Sequence, residues 1–337
     1  MKDLIKEIKK WEGSKKEFCI ATVVETWNSA PRPRGSSMII SESGEMAGSV
    51  SGGCVEKSVI NASKEIFATG KPKLLTFGVA DEDAWNVGLS CGGRIEVFVE
   101  KFPLFISGPE RKLWNRLERI LNNNEAAVWI SEINTELSKH YLVETAGNKE
   151  ESPVHNEAAK LLKKGISESF VIEDKRYFAQ VFPERKKLLM IGSAHITSEL
   201  LKLAEIYDFE TIVIDPRDTF ATKTSHTAKP DHLFVKWPQE VLKDLHPDEN
   251  TFAVILSHDP KIDDAALEIL LKSEVFYIGA LGSKKTHEQR KTRLLEKGFT
   301  ETEIAKIHAP VGMSINAKTA GEIALSVMAE IIKLKNF

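Results

Sequence analysis

The chain has 337 residues, long enough for two domains of about 150 residues, each with its own core. Its 46 Lys and Arg against 49 Asp and Glu leave a net charge of −3, so no overall basic field recommends a nucleic-acid polyanion as partner. A hydrophobic share of 42% with 28% charged residues is ordinary for a globular protein and too apolar for a disordered one. Three cysteines, Cys19, Cys54 and Cys91, are too few and too scattered for a disulfide framework and point to a reducing cytoplasm.

In chain order, Leu4, Ile5, Ile8 and Trp11 fall at the spacing of an amphipathic helix among lysines. The segment lacks the continuous apolar stretch and small-residue cleavage site of a secretory signal. No later run reaches the ~18 apolar residues of a membrane span. Phe18 to Thr26 is apolar on both parities, as in a strand covered on both faces. Cys19 lies inside it and reads as a small core side chain. A strand at Ser37 to Ser41 leads through Gly44 into the glycine-rich Gly48 to Glu56, and Val55 to Phe67 repeat at helical spacing before Gly70 and Pro72. Strands are expected at Lys73 to Phe77 and Arg94 to Phe102. Between Pro103 and Pro183 the pattern predicts helices around Arg111 to Leu121 and Val154 to Lys164, with short strands near Ala127 and Phe170.

From Leu188 onward strands and helices alternate. Strands are expected at 188–191, 211–215, 252–257 and 275–279, and helices at 196–207, 263–271, 284–297 and 320–334. Short connections between them imply a parallel sheet wrapped by helices. The expected fold class is therefore α/β, an N-terminal α/β domain followed by a Rossmann-like domain with a mainly parallel sheet. The divisions are 1–102, a variable middle at 103–183 packed with the first domain, and 184–337.

Lys187 to Thr197 has the setting of a dinucleotide turn, a buried strand passing through glycine into a helix. Gly192 holds its first position, Ala194 replaces the second glycine and Thr197 the third, with His195 between. Asp215 ends the second strand, where it is placed to accept a ribose hydroxyl. Ser257, His258 and Asp259 follow a further strand and face the same crevice; Asp259 with His258 also fits a helix cap. A nucleotide or phosphate site is expected here, and NAD(P) is its dinucleotide version.

The other two cysteines share a setting. Cys54 follows Gly52 and Gly53, and Cys91 precedes Gly92 and Gly93. Paired glycines permit positive φ and consecutive inward N–H groups, a nest for an anion, beside a soft nucleophile. Cys54 also opens a helix, which favours its thiolate. Neither belongs to a C-x-x-C pair and no histidine stands at ligand spacing, so no metal site is read. Upstream, Arg32 and Arg34 sit on a proline-stiffened loop suited to bidentate binding of a phosphate.

Taken together, S-A-P-R-P-R-G-S-S-M, G-S-V-S-G-G-C-V-E, C-G-G-R-I-E-V, I-G-S-A-H-I, V-I-D-P-R, Y-I-G-A-L-G-S-K-K-T and H-A-P-V-G-M-S-I-N-A-K-T-A-G-E-I-A-L-S resemble the XdhC/CoxI family. These are accessory factors of molybdenum hydroxylases such as xanthine dehydrogenase. The match spans both ends and leaves out the middle. It departs from the family pattern at Gly192 to His195, where G-S-A-H replaces G-A-G-H, and at Ser90, Ser257, Asn316 and Ala320. The resemblance implies a cytoplasmic protein that binds the molybdenum cofactor, protects it, assists its sulfuration by a cysteine desulfurase and inserts it into an apo molybdenum hydroxylase. It also implies a homodimer. Cys54 and Cys91 then become cofactor- or sulfur-contacting thiols, Gly52, Gly53, Gly92 and Gly93 shape their loops, and Arg32 and Arg34 neutralise the pterin phosphate. The alternatives are an NAD(P)-dependent oxidoreductase using the C-terminal domain and a scaffold that docks desulfurase and apo-enzyme without cofactor.

Overall fold

The strand Phe18–Trp27 (β1) is buried at every position from Phe18 to Val24 because each of its faces meets a different core. Phe18 and Ile20 join an aromatic cluster with Trp11, Phe102 and Trp114, while Cys19, Ala21 and Val23 pack with Val55, Val59 and Ile66. Cys19 is fully buried, and burial pushes its thiol up to about 12. The computed structural model describes residues 1, 4–27, 30–53, 55–78, 94–102, 108–133, 135–145, 152–217 and 228–335. It divides into two compact units, Met1–Glu184 and Arg185–Phe337.

In the first unit the helix Ile5–Gly13 (α1) precedes β1, followed by Ser37–Ser41 (β2), Met46–Gly48 (β3), the helix Glu56–Thr69 (α2), Lys73–Phe77 (β4) and Arg94–Lys101 (β5). Among the described residues these strands form one sheet in the order β3-β2-β1-β5-β4, antiparallel at every pairing. Ile95, Val97 and Val99 of β5 face the α2 side. The helix Pro109–Asn122 (α3) brings Trp114 against Phe102 at 4.7 Å, which in turn stacks on Phe18 at 4.9 Å.

A second sheet lies in the same unit: Ala127–Ile133 (β6), His140–Glu144 (β7), Glu168–Ile172 (β8) and Lys175–Phe182 (β9), ordered β7-β6-β9-β8, with the helix Pro153–Lys164 (α4) against it. Trp129 and Phe182 from this sheet belong to the aromatic cluster that holds Phe18 and Phe102. Two sheets of one unit thus share that core. The strands β3, β7 and β9 are additions to the elements expected from sequence.

The second unit runs Lys187–Ile191 (β10), His195–Ile206 (α5), Glu210–Ile214 (β11), His232–Phe234 (β12), Pro238–Leu245 (α6), Thr251–Ile255 (β13), Pro260–Leu270 (α7), Tyr277–Ala280 (β14), Lys284–Glu296 (α8), Glu301–Ile304 (α9), Ile307–His308 (β15) and Ala320–Lys335 (α10). Its sheet is parallel throughout, in the order β12-β11-β10-β13-β14-β15. Counted within the unit this is 3-2-1-4-5-6, the order of dinucleotide-binding folds. Leu189, Ile191, Ile212 and Ile255 face α6, α7 and α8, whereas Leu188, Met190, Val213 and Val254 face α5 and α10. Continuous apolar strands are what two covered faces demand. Among the described residues, no helix is long and apolar enough to cross a membrane.

Candidate functional site

One end of the five-stranded sheet gathers the described parts of the N-terminal motifs. β1 ends there at Trp27, β2 starts there at Ser37, β3 ends at Gly48, β4 ends at Phe77 and β5 starts at Arg94, as their pairings fix: Met38 with Gly48, Thr22 with Ser37, Trp27 with Arg94 and Phe77 with Ile95. The Arg32–Gly35 loop and the Ser49–Gly53 loop therefore share an edge, reinforced by Ser49 N–H donating to the carbonyl of Ser37 at 3.2 Å. Arg94 lies 4.5 Å over the Trp27 ring. Cys54, Cys91, Gly92 and Gly93 lie outside the described residues.

The glycine loop is a nest, and the chain itself supplies the anion. The Glu56 carboxylate accepts from Ser49 Oγ, Ser51 N–H and Gly52 N–H at 3.0 Å each, and from Gly53 N–H at 2.8 Å. Burial of the carboxyl raises its pKa, but these backbone donors outweigh burial and bring it down to about 2. Gly52 and Gly53 have φ of +105° and +134°, values that favour glycine, and a side-chain carbon at either would meet nothing within 4 Å. Glycine is needed there for conformation rather than for space. Sequence reasoning passed over Glu56, the acidic residue that opens α2 and whose side chain folds back onto the N–H groups of the preceding glycine loop.

The two arginines differ. Arg34 is engaged by Glu25 and, at 3.7 Å, by Glu168. Gly35, with φ of +84°, is held through its carbonyl by Gln180 Nε2 at 2.6 Å. Arg32 is exposed and has no ion-pair partner among the described residues. It lines a depression of about 260 Å³ with Arg34, Ser36, Ser37 and Ser49. Ser49 Oγ is committed to Glu56 and Ser37 Oγ donates to the Gly35 carbonyl at 3.2 Å, so Arg32 with the Ser36 hydroxyl is the part of this lining that suits a phosphate.

In the second unit the loops after β10 and β13 meet at the switch point of the sheet. A side-chain carbon on Gly192, whose φ is +107°, would lie 2.6 Å from both N and Cα of Ser257, so the close approach of these loops requires glycine. Asp215 is fully buried. It accepts from Ser193 N–H at 2.8 Å and from Arg217 N–H at 3.0 Å, and Arg217 Nε and Nη2 grip it at 2.9 and 2.8 Å. Burial works against its charge, yet the Arg217 and Ser193 hydrogen bonds hold the carboxyl below the usual carboxylate range. The carboxylate expected to meet a ribose instead ties the Gly192–Ser193 turn to Arg217. Ala194 and His195 start α5, with His195 exposed.

Asp259 is the N-cap of α7, accepting from Lys261 N–H at 2.9 Å, so that helix begins at Pro260 rather than at Asp263. His258 is exposed with φ of +58°. Ser257 Oγ donates to Asp263 at 2.6 Å, and the buried Arg290 approaches the same carboxylate at 3.4 Å. Burial raises the Asp263 carboxyl, with Ser257 and Arg290 opposing. Arg217, Asp263 and Arg290 escaped the sequence reading because only the folded sheet brings them beside Ser257. Among the described residues no group of three His, Cys, Asp or Glu side chains is placed to hold a metal ion.

Comparison with known proteins agrees with this architecture. Residues 11–78 match the model of the XdhC and CoxI family and residues 188–331 that of the XdhC Rossmann domain. In Bacillus subtilis, one of the probable xanthine dehydrogenase subunits is 28% identical over 95% of this chain and 93% of its own. The Escherichia coli molybdenum cofactor insertion chaperone PaoD is 25% identical over 96% of this chain and 85% of its own. The crystal structure of a protein described as a xanthine dehydrogenase from Bacillus halodurans, 24% identical, covers 98% of this chain and 95% of that one with a TM-score of 0.77, and so shares the fold. With one model matched in each unit and relatives aligned along nearly the whole length, the chain belongs to the XdhC and CoxI family.

Proposed function

We propose that this protein is a maturation factor that binds the molybdenum cofactor and inserts it into a molybdenum hydroxylase of the xanthine dehydrogenase type. The observation that carries the reading is the meeting of the Arg32–Gly35 loop and the Ser49–Gly53 loop at one end of one sheet, in a chain whose relatives include a cofactor insertion chaperone. The donor set fits the phosphate of a pterin cofactor: Arg32 supplies a guanidinium with no ion-pair partner among the described residues, and Ser36 beside it supplies a hydroxyl. Arg34, neutralised by Glu25 and Glu168, shapes that loop more than it adds charge. Cys54 follows directly on Gly53, and Cys91 with Gly92 and Gly93 directly precedes Arg94. They are the thiols and glycines this reading sets against the cofactor, whose molybdenum supplies the redox chemistry of the client enzyme.

In the same reading the sulfur comes through a cysteine desulfurase, the protein acts in the cytoplasm and two copies associate. The C-terminal unit contributes a Rossmann scaffold. NAD(P) is hinted at by the strand order of that scaffold alone, since the carboxylate that would take a ribose is buried and gripped by Arg217. The test is delivery. Protein loaded with cofactor under anaerobic conditions is mixed with apo-hydroxylase, and the expected result is hydroxylase activity rising in step with loss of pterin from the factor. Pterin that stays bound while apo-enzyme remains inactive would refute insertion.

A further inference from the structure

The backbone nest at Ser51 to Gly53 has the form of an anion receptor, and it is accessible: Gly52 and Gly53 are both exposed. It is nonetheless filled, since each of its three N–H groups and the Ser49 hydroxyl is spent on Glu56. We propose that Glu56 is a specificity-determining residue of this loop, a resident carboxylate that excludes phosphate from the nest and leaves Arg32 as the cation that pairs with a phosphate ligand.

Three observations carry this. An N–H has one hydrogen, so a phosphate entering the nest must displace Glu56 rather than share its donors. The carboxylate is tethered three residues from Gly53, and an intramolecular ligand competes at high effective concentration. Finally, Ser49 belongs to both places, donating to Glu56 and lining the depression that holds Arg32. An anion approaching this edge therefore meets a carboxylate on the nest side and, on the other, a guanidinium with no ion-pair partner among the described residues. Naming phosphate as the excluded anion rests on the cofactor reading above; the filling of the nest does not.

The experiment uses inorganic phosphate, so it is independent of whether the protein binds a pterin. Full-length 15N-labelled protein is titrated with phosphate while the amide resonances of Ser51, Gly52 and Gly53 and the Arg32 Nε–H resonance are followed. In the wild type, the Arg32 signal is expected to move and the three amides to stay. In Glu56→Gln, which keeps the shape and removes the charge, the three amides are expected to move saturably with phosphate. Movement of these amides in the wild type overturns the proposal, as does a natively folded Glu56→Gln whose amides ignore phosphate. If Glu56→Gln does not fold, the wild-type titration still decides, because amides that shift with phosphate contradict exclusion and an Arg32 signal that does not contradicts its role.

Discussion

His140 offers a pH test of the core that the two sheets of the first unit share. Its ring is 1% exposed and lies between two carboxylates, with Nδ1 2.8 Å from Glu110 and Nε2 3.1 Å from Glu100, and it stacks on Trp129 at 4.8 Å. Burial opposes the charged ring, but Glu100 and then Glu110 outweigh it and raise the imidazolium to about 9 from 6.5. A folded value above the unfolded one means stability present in full below pH 6.5 and lost as pH rises through about 9. At about 1.4 kcal/mol per pH unit, that interval amounts to about 3 kcal/mol, a large part of a domain's net stability. The assay is urea denaturation of wild type and His140→Gln from pH 6 to pH 10, followed through the tryptophans of the first unit. The stability difference is expected to be greatest at pH 6 and to shrink across pH 7 to 9.5. A difference independent of pH, or one that grows with pH, would refute an imidazolium held by these carboxylates.

The two arginines separate function from stability. Arg32→Ala should weaken phosphate or pterin binding several-fold and leave the melting temperature unchanged, whereas Arg34→Ala, by freeing Glu168 and leaving Glu25 to Arg176 at 3.9 Å, should cost about 1 kcal/mol; equal effects of both on binding and stability would contradict the assignment. Gly192→Ala forces a methyl into the Ser257 backbone and should destabilise the second unit by about 2 kcal/mol or more, read as a lower unfolding midpoint there. An unchanged midpoint would mean the loops after β10 and β13 do not approach as described. Asp215→Asn removes one side of a charge-assisted set and should speed hydrogen exchange at Ser193 N–H; unaltered exchange would show that Asp215 does not hold the turn.

In the second unit β10, β11, β13 and β14 were legible because apolar runs alternate there with helices, whereas β12, α6, α9 and β15, short or partly polar, were not among the expected elements. β1 was legible for its apolar run too. β5, expected as a strand, shows where the reading stops: Ile95, Val97 and Val99 share one covered face, yet Glu96 and Glu100 on the opposite face are buried as well. Glu96 meets Arg176 at 2.6 Å and Glu100 meets His140, both from the second sheet, and no local pattern announces partners that distant in the chain. At the candidate site, Arg32, Arg34, Gly52 and Gly53 declared themselves through their motifs, while Cys54 and Cys91 lie outside the described residues. What the motifs could not convey is occupancy: a glycine nest reads as open until the neighbouring Glu56 is seen inside it, and Asp215 reads as a ribose acceptor until Arg217 covers it.

The most direct test is to isolate the protein anaerobically from cells that make the molybdenum cofactor and to quantify the pterin retained per chain. Pterin is expected on the wild type, with sharply reduced retention in Cys54→Ser and Cys91→Ser and folding intact in both. A wild type that retains no pterin would contradict the cofactor-binding claim itself, and full retention in both serine variants would remove the thiols from the site.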